Sequence, residues 1–464
     1  MFEGDIRIMK LKAWEIAECT QGSIAAGNPD TSFTGISTDS RSIKEGDLFI
    51  ALGGENYDGH VFVSEAMAKG AAGAVVMKEG VRGKGTVISV EDTLGALGDI
   101  AAYVRNQFNP IIVGITGSTG KTTIKELCAS ILSLDGTCLK TEKNYNNLIG
   151  VPMCLLGLGE EHKYAVIEMG TNRFGEIDRL SSITRPKVSI LSNINPVHLS
   201  GLRSISGIIK EKQAIFKNTE PSGIAVINPH LENMDRVEIP RNLSLVTYSS
   251  SEGADVTLKT VMHQGLDGTD ITIDLKGTLI NTHVPLPGMH NVCNALAAAA
   301  CGVSLGIDPA KIAEGIMNAR FPGMRSEIII SDHISIINDS YNANPASMKA
   351  ALQMLLSSPH SFRIAVLGDM LELGTETVDW HMKLGEWVAQ AEIDRFVVTG
   401  EMAGIVADAA IAKGMNPMKI YRAQGLQEII NNLSDVLDKD AIILVKASRA
   451  LHLDEVVTHL KAVA

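Results

Sequence analysis

The chain has 464 residues, 45% of them hydrophobic and 20% charged, and a formal net charge of −12. That balance excludes wholesale disorder and a global basic field for nucleic acid, and the length suits three domains of about 150 residues. Met1 to Arg7 lacks a charged-then-apolar leader pattern, and the richest apolar run, Ala295 to Ile307, is too short to span a bilayer and is broken by Ser304, so a cytoplasmic protein without a membrane partner is expected.

Residues 1–108 mix strand-like runs, among them Gly46 to Gly54 and Ala74 to Met77, with polar turns, and close on a helical segment from Leu94 to Phe108. Pro110 then punctuates the chain, so a second unit is expected over 109–322. There, strand-length runs at Ile111 to Ile115, Tyr164 to Ile167, Val188 to Leu191 and Ile224 to Ile227 alternate with helical patterns, which argues for a parallel sheet flanked by helices. Asn291 to Gly302 reads as a packed helix, and Phe321-Pro-Gly-Met324 is the next break. Over 323–464 the alternation resumes at Ile334 to Ile337, Arg363 to Leu367, Arg395 to Thr399 and Ala441 to Val445, a second α/β unit of Rossmann-like type. The six cysteines, Cys19, Cys128, Cys138, Cys154, Cys293 and Cys301, form no C-x-x-C pair and read as core thiols.

The stretch Ile111-Ile-Val-Gly-Ile-Thr-Gly-Ser-Thr-Gly-Lys-Thr-Thr123 carries the most chemistry. An apolar strand runs into a turn, Thr116, Gly117, Ser118, Thr119, Gly120, that ends in Lys121, Thr122 and Thr123 and opens a helix. The glycines let backbone N–H groups approach phosphate oxygens, Lys121 offers a cation to the β/γ phosphates, Thr122 offers a hydroxyl to Mg²⁺, and the helix dipole favours the anion. The common G-x-x-x-x-G-K-[ST] pattern wants glycine where this chain has Ile115. By itself the loop names ATP or GTP and no reaction.

Other polar residues collect at the ends of expected strands. Tyr164-Ala-Val-Ile-Glu-Met-Gly170 delivers Glu168, either a Mg²⁺ ligand beside the loop or an acid facing water. Val188 to His198 ends in a polar loop with His198 at the carboxyl edge. On the helix-like Ser206 to Phe216, Lys212 falls at i±3 and i±4 from Ile208, Ile209, Ile215 and Phe216, within the apolar face, whereas Lys210 points elsewhere. An inward lysine suits a metal site; snorkelling is the alternative. Asn338 to Pro345 and Gly368-Asp-Met-Leu-Glu-Leu-Gly374 each follow a strand, as turn chemistry or as binding loops.

Together these segments resemble the Mur ligase family over essentially the whole chain, including a T-G-x-x-G-K-T loop without glycine at position 115. Ser37-Thr-Asp-Ser-Arg41, Gly46 to Ala51 and Asn56-Tyr-Asp-Gly-His60 look like its UDP-sugar-binding domain. Thr141 to Pro152, Glu168-Met-Gly170, His198-Leu199 and Pro287 to Asn294 look like its ATPase domain, and Gly323-Met-Arg325, Asp339 to Pro345, Gly368 to Gly374 and Lys446-Ala-Ser-Arg449 like its third domain. The Gly368 to Gly374 segment marks members that add D-alanyl-D-alanine. In Lys446-Ala-Ser-Arg449, Ala447 replaces a usual glycine, and Asn195-Pro196 replaces smaller residues before His198.

The resemblance implies an α/β protein with three domains: 1–108 binding the UDP-sugar, 109–322 an ATP-binding P-loop parallel sheet, and 323–464 a Rossmann-like dipeptide-binding unit. It implies a monomeric ligase of peptidoglycan synthesis that joins D-alanyl-D-alanine to UDP-N-acetylmuramoyl-tripeptide through an acyl phosphate, with ATP and Mg²⁺. Lys121, Glu168, His198 and Lys212 would be catalytic. Thr122, Glu168, His198 and Lys212, the last carbamylated by CO₂, would serve the metal. Asn291 and Asn294 would lie on the adenine side, with Arg325 and Asp339 also contacting nucleotide. Thr38, Asp39, Ser40, Arg41, Asn146, Asn147, Asn342 and Asn344 would bind substrates. Rival readings are another amide ligase of this superfamily, against which the Asp339 to Pro345 and Gly368 to Gly374 segments argue, and a P-loop regulatory or motor ATPase, in which Glu168, Lys212 and the UDP-domain motifs have no reason to occur. Whether the third peptide residue is lysine or diaminopimelate stays open.

Overall fold

The computed structural model describes residues 7–54, 57–77, 85–331, 334–436 and 440–463; Asn56 and the segment before Arg7 lie outside them. Three main sheets follow one another along the chain. In the first, Ser32–Ser37, Asp47–Ile50, Gly73–Val76 and Thr86–Ser89 run parallel, and antiparallel edges, Arg7–Lys12 and Ser23–Ala26, close either side.

The helix Thr93–Phe108 starts on an Asp92 cap whose carboxylate accepts the Leu94 and Gly95 N–H groups. Its buried Leu97, Ile100 and Val104 share one apolar cluster with Leu11 and Phe33 on one side and Ile177 and Ile183 on the other. Arg179 reaches back to Asp99 at 2.7 Å. The first and second units therefore share a core through this helix.

The second sheet has the order Cys138–Lys140, Tyr164–Glu168, Ile111–Thr116, Val188–Leu191, Ile224–Ile227, Ser244–Ser249, Val256–His263, Thr269–Leu275, Thr278–Val284. The first six strands are parallel, and their Val, Ile and Ala runs are buried on both faces. The last three form an antiparallel meander that extends the sheet. This meander is absent from the strands expected above, because alternating runs such as Thr269–Leu275, with burial on every second residue, carry a weak apolar signal. One face is sealed by Lys121–Ser133 and by the alanine-rich helix Met289–Ser304, whose small side chains let it lie close on the sheet.

The third sheet, Glu327–Ile330, Ile334–Asn338, Ala441–Lys446, Phe362–Leu367, Arg395–Thr399, Ile420–Ala423, is parallel except at its first edge, with apolar clusters on both faces. Among the described residues no helix is long and apolar enough to cross a membrane.

Lys212 closes the short helix Ile205–Lys212, and its neighbour Glu211 anchors that helix. The Glu211 carboxylate, 3% exposed, accepts from Gly175 N at 2.7 Å, Ile177 N at 2.8 Å and Thr171 Oγ1 at 3.0 Å, capping the helix Glu176–Thr184. Glu211→Ala would strand these buried donors, costing about 2–4 kcal/mol, read as a fall of several degrees in melting temperature. An unchanged melting curve would count against the cap.

All six cysteines are free thiols. Burial pushes Cys19, Cys138 and Cys154 up to about 12, which leaves a thiolate fraction on the order of one in ten thousand at pH 8. A disulfide reagent at that pH should therefore label the native protein slowly and the denatured chain at once; rapid labelling of these three in the native protein would contradict the packing.

Candidate active site

The floor of the site is made where parallel strands end together. Strand Ile111–Thr116 turns through Gly117 (φ 150°) and Gly120 (φ 80°) into the helix Lys121–Ser133. A Cβ on Gly117 would lie 1.9 Å from Ser192 Oγ, and one on Gly120 would lie 2.4 Å from Asn294 Oδ1. Both glycines are therefore required by close approach as well as by φ. Ile115 sits inside the sheet, paired with Glu168 and Ile190, so this shorter loop has no place for a glycine there.

The polar segment after Val188–Leu191 braces the loop. Asn193 Oδ1 accepts from Thr119 N at 3.0 Å, Thr119 Oγ1 at 3.2 Å and Asn195 Nδ2 at 2.9 Å, while Asn193 Nδ2 donates to Thr119 O at 3.1 Å. Ser118 Oγ donates to Asn195 O at 3.0 Å, and Asn195 N donates to Ser118 Oγ at 2.8 Å. The Asn195 bonds to Ser118 are made by its main chain, and its side chain adds only the bond to Asn193.

Under the loop, Lys121 Nζ donates to Gly117 O at 2.9 Å and to Ser118 O at 3.4 Å. Desolvation lowers its pKa below the ordinary lysine range; Glu168 opposes this and Arg325 adds to it. Lys212, fully buried among Ile208, Ile209, Ile215 and Phe216, donates to the same Gly117 O at 2.9 Å, while Lys210 is exposed. Lys212 does not snorkel. Burial first, then repulsion from Lys121, hold it well below the lysine range against the pull of Glu211.

Thr122 Oγ1 donates to Glu168 Oε2 at 2.8 Å, and Asn146 Nδ2 donates to Glu168 Oε1 at 2.7 Å. Thr116 is spent on Met169 O at 3.0 Å, and Asn147 Oδ1 caps the turn at Gly150 at 2.8 Å. Asn291 Nδ2 holds Pro287 O at 2.9 Å, and Asn294 Nδ2 reaches Asn291 Oδ1 at 3.3 Å. The expected metal residues divide. Thr122 and Glu168 form one pair of hard oxygen donors, whereas His198 Nδ1 bonds Glu372 Oε2 at 2.5 Å and Lys212 lies beneath the loop. Among the described residues no group of three or more His, Cys, Asp and Glu side chains is gathered to hold a metal ion.

A cleft of about 980 Å³ opens between the second and third sheets. From the second unit it is lined by Ser118 to Thr123, Asn146, Asn147, Glu168, His198, Asn291 and Asn294. From the third come Arg325, Asp339, Asn342, Asn344, Glu372 and Lys446. Arg325 stacks on Tyr341, 3.7 Å from the ring centre. Asp339 is paired with Lys446 at 2.5 Å and takes the Ser326 N–H at 2.9 Å. Lys446 also donates to Asn342 O at 2.8 Å, and Asn344 caps the helix Pro345–Leu356 through Ser347 N at 3.0 Å. Ala447 has no positive φ; its methyl instead fills the space a side chain on Gly368 would need, 2.8 Å away.

Thr38, Asp39, Ser40 and Arg41 do not line this cleft. They sit at the end of Ser32–Ser37, where Arg41 clasps Asp39 at 2.7 Å and holds its carboxyl down at about 2. Glu372, Lys446, Tyr341 and Asn193 are site residues that the sequence does not mark out by themselves. The first three lie in or beside quoted segments, but their partners are distant in sequence, and Asn193 carried only the signal of a polar residue at a strand end.

Family profiles match along the chain: the Mur ligase family catalytic domain over residues 32–105, the Mur ligase middle domain over 115–302 and the Mur ligase glutamate ligase domain over 324–449. The chain is 36% identical over 438 residues to the UDP-N-acetylmuramoyl-tripeptide--D-alanyl-D-alanine ligase of Escherichia coli K12, covering 93% of this chain and 94% of that one. It is 35% identical to the Bacillus subtilis 168 enzyme of the same name, covering 98% and 99%. The solved structure of MurF from Acinetobacter baumannii superposes with a TM-score of 0.91 at 33% identity, covering 98% of this chain and 100% of that one. The MurF ligase of Thermotoga maritima in complex with ADP superposes at 0.82 with 26% identity, covering 92% and 98%. With likeness running from end to end and a glycine-cornered phosphate loop facing a third α/β unit across one cleft, the chain belongs to the Mur ligase family.

Proposed function

We propose that the chain is the ATP-dependent ligase that joins D-alanyl-D-alanine to UDP-N-acetylmuramoyl-tripeptide, releasing ADP and phosphate and giving the pentapeptide precursor of peptidoglycan. The observation that carries this reading is the cleft itself, in which the phosphate loop of one unit and the Gly368 to Gly374 loop of another line the same space. Residues 1–108 are taken as the UDP-sugar unit, with Thr38 to Arg41 its contacts, and 323–464 as the unit that receives the dipeptide. The reaction is placed in the cytoplasm, where its nucleotide substrates are made.

A carboxylate is a poor acyl donor, so the tripeptide's terminal carboxylate first attacks the γ-phosphorus of ATP and ADP leaves. The dipeptide amine then attacks the acyl phosphate, a tetrahedral intermediate collapses, phosphate departs and the amine proton is lost. The protein's part is positioning and charge. The loop N–H groups and the N-terminus of Lys121–Ser133 receive the phosphates. Lys121 neutralises the transferring group, with Arg325 across the cleft for the nucleotide. Asn291 and Asn294, held beside Gly120, are read as nucleotide contacts, and Asp339 with Lys446 shapes the facing wall. Asn146, Asn147, Asn342 and Asn344 line the space for the peptide parts. Closing the cleft would exclude water from the acyl phosphate.

Thr122 and Glu168 supply the hydroxyl and carboxylate oxygens that suit Mg²⁺, which would offset phosphate charge. Lys212 is read as the site of a carbamate: its buried amine, whose neutral form burial and Lys121 favour, adds to CO₂ with loss of one proton, placing an anion beside the loop. With His198 it would complete the metal side of the site.

Phosphate release should require ATP, UDP-N-acetylmuramoyl-tripeptide and D-alanyl-D-alanine together; release indifferent to the dipeptide would refute the ligase reading. Lys121→Ala should abolish turnover with the melting temperature preserved, and normal turnover would reject the cradle assignment. Lys212→Ala should lower activity by at least about 100-fold, with partial rescue by formate or acetate. Full activity of that variant would exclude the carbamate.

A further inference from the structure

The loop Gly368 to Gly374 is braced far more than a turn requires. Gly368 N donates to Lys446 O at 2.9 Å, Met370 N to His381 Nε2 at 3.0 Å and Leu371 N to Ser448 Oγ at 2.8 Å. Asp369, 5% exposed, takes the N–H groups of Glu401 at 2.7 Å and Met402 at 3.1 Å. These bonds all come from the third unit, and they hold the next residue, Glu372, at φ 64°. A glutamate rarely adopts that conformation, and such strain collects where function demands it.

Held this way, Glu372 reaches the second unit. Its Oε2 bonds His198 Nδ1 at 2.5 Å, across 174 residues of chain, and its carbonyl accepts from Ser200 N at 3.3 Å. His198 is itself left-handed at φ 52°, and Gly374 lies against the Leu199–Ser200 backbone. A carboxylate can only accept, so Nδ1 carries the hydrogen, and in a neutral ring the lone pair then lies on Nε2. This is how a carboxylate sets an imidazole that must ligate a metal or accept a proton.

We propose that Glu372 is the positioning residue of His198, fixing its tautomer and ring pose so that docking of the third unit completes the phosphate side of the site. Nothing in the reaction scheme above uses this contact. The inference rests on the reading of His198 as a site residue. It also accounts for why the loop that marks the dipeptide-adding members touches the nucleotide half of the molecule.

The test is made first on the full-length protein without nucleotide or metal, labelled with ¹⁵N-histidine, the His198 ring being assigned by its loss in His198→Ala. At one fixed pH the wild type should show His198 with hydrogen on Nδ1. Glu372→Ala should shift the ring towards the Nε2–H form, and Glu372→Gln, whose amide oxygen still accepts, should restore the wild-type pattern. In the ligase assay Glu372→Ala should lower kcat by about 10- to 100-fold while KM for ATP stays near the wild-type value, with Glu372→Gln recovering most of the loss. In a His198→Ala background the second substitution should cost little more. A Glu372→Ala ring spectrum identical to wild type, or full additivity of the two substitutions, would overturn the proposal. A tautomer that responds to Glu372 in a protein without ligase activity would uphold the positioning and overturn the ligase reading instead.

Discussion

The carbonyl oxygen of Gly117 accepts hydrogen bonds from two lysines, Lys121 and Lys212, both at 2.9 Å. Lys121 arrives from the helix the loop opens, and Lys212 from a different helix packed beneath it. Burial pushes the inner one well below the ordinary lysine range, and repulsion between two ammonium groups on one acceptor adds to it. The constraint runs both ways. The loop must keep Gly117 at a φ that few other residues tolerate so that its carbonyl points inward, and the inner helix must hold Lys212 in place without solvent.

Much of the second unit serves those two demands. Glu211 ties the Lys212 helix to the N-terminus of Glu176–Thr184. Asn193 and Asn195 bind the outer side of the phosphate loop, and Ser192 Oγ closes over Thr119 O at 2.6 Å. Glu168 is fixed through Thr122 and Asn146, and its own N–H is taken by Thr141 Oγ1 at 2.9 Å. Thr122, Thr141, Glu168 and Asn193 stand at or just beyond the ends of four neighbouring strands, Ile111–Thr116, Cys138–Lys140, Tyr164–Glu168 and Val188–Leu191, which is the geometric reason the carboxyl edge of a parallel sheet can gather a polar site above an apolar floor.

The third unit meets this machinery across the cleft. Arg325 on Tyr341 and Lys446 with Asp339 build its wall of the cleft, and Glu372 crosses to His198. A boundary of that kind suits an enzyme that must receive two substrates and then shut water away from an acyl phosphate. The first unit, by contrast, shares a continuous apolar core with the second through Thr93–Phe108, so its Thr38 to Arg41 edge is carried at a fixed distance from the cleft.

Local order was legible in the residues. Buried parallel strands such as Ile111–Thr116 and Val188–Leu191 announce themselves as apolar runs, the glycine–lysine–threonine turn reads as a phosphate loop, and helical periodicity puts Lys212 on the apolar face, while its full burial in place of snorkelling is seen only in the structure. The meander from Val256 to Val284 was not legible, since half-exposed alternating strands resemble polar loops in composition. Nor were the pairings that shape the site: Lys212 with Gly117, Asn193 with Thr119, Lys446 with Asp339 and Glu372 with His198. Sequence by itself determined which segments bear chemistry and on which kind of element they sit, because periodicity and turn chemistry are properties of neighbouring residues. Only the tertiary structure decided which of those groups meet, because strand order and the docking of separate sheets bring together residues as far apart as 174 positions.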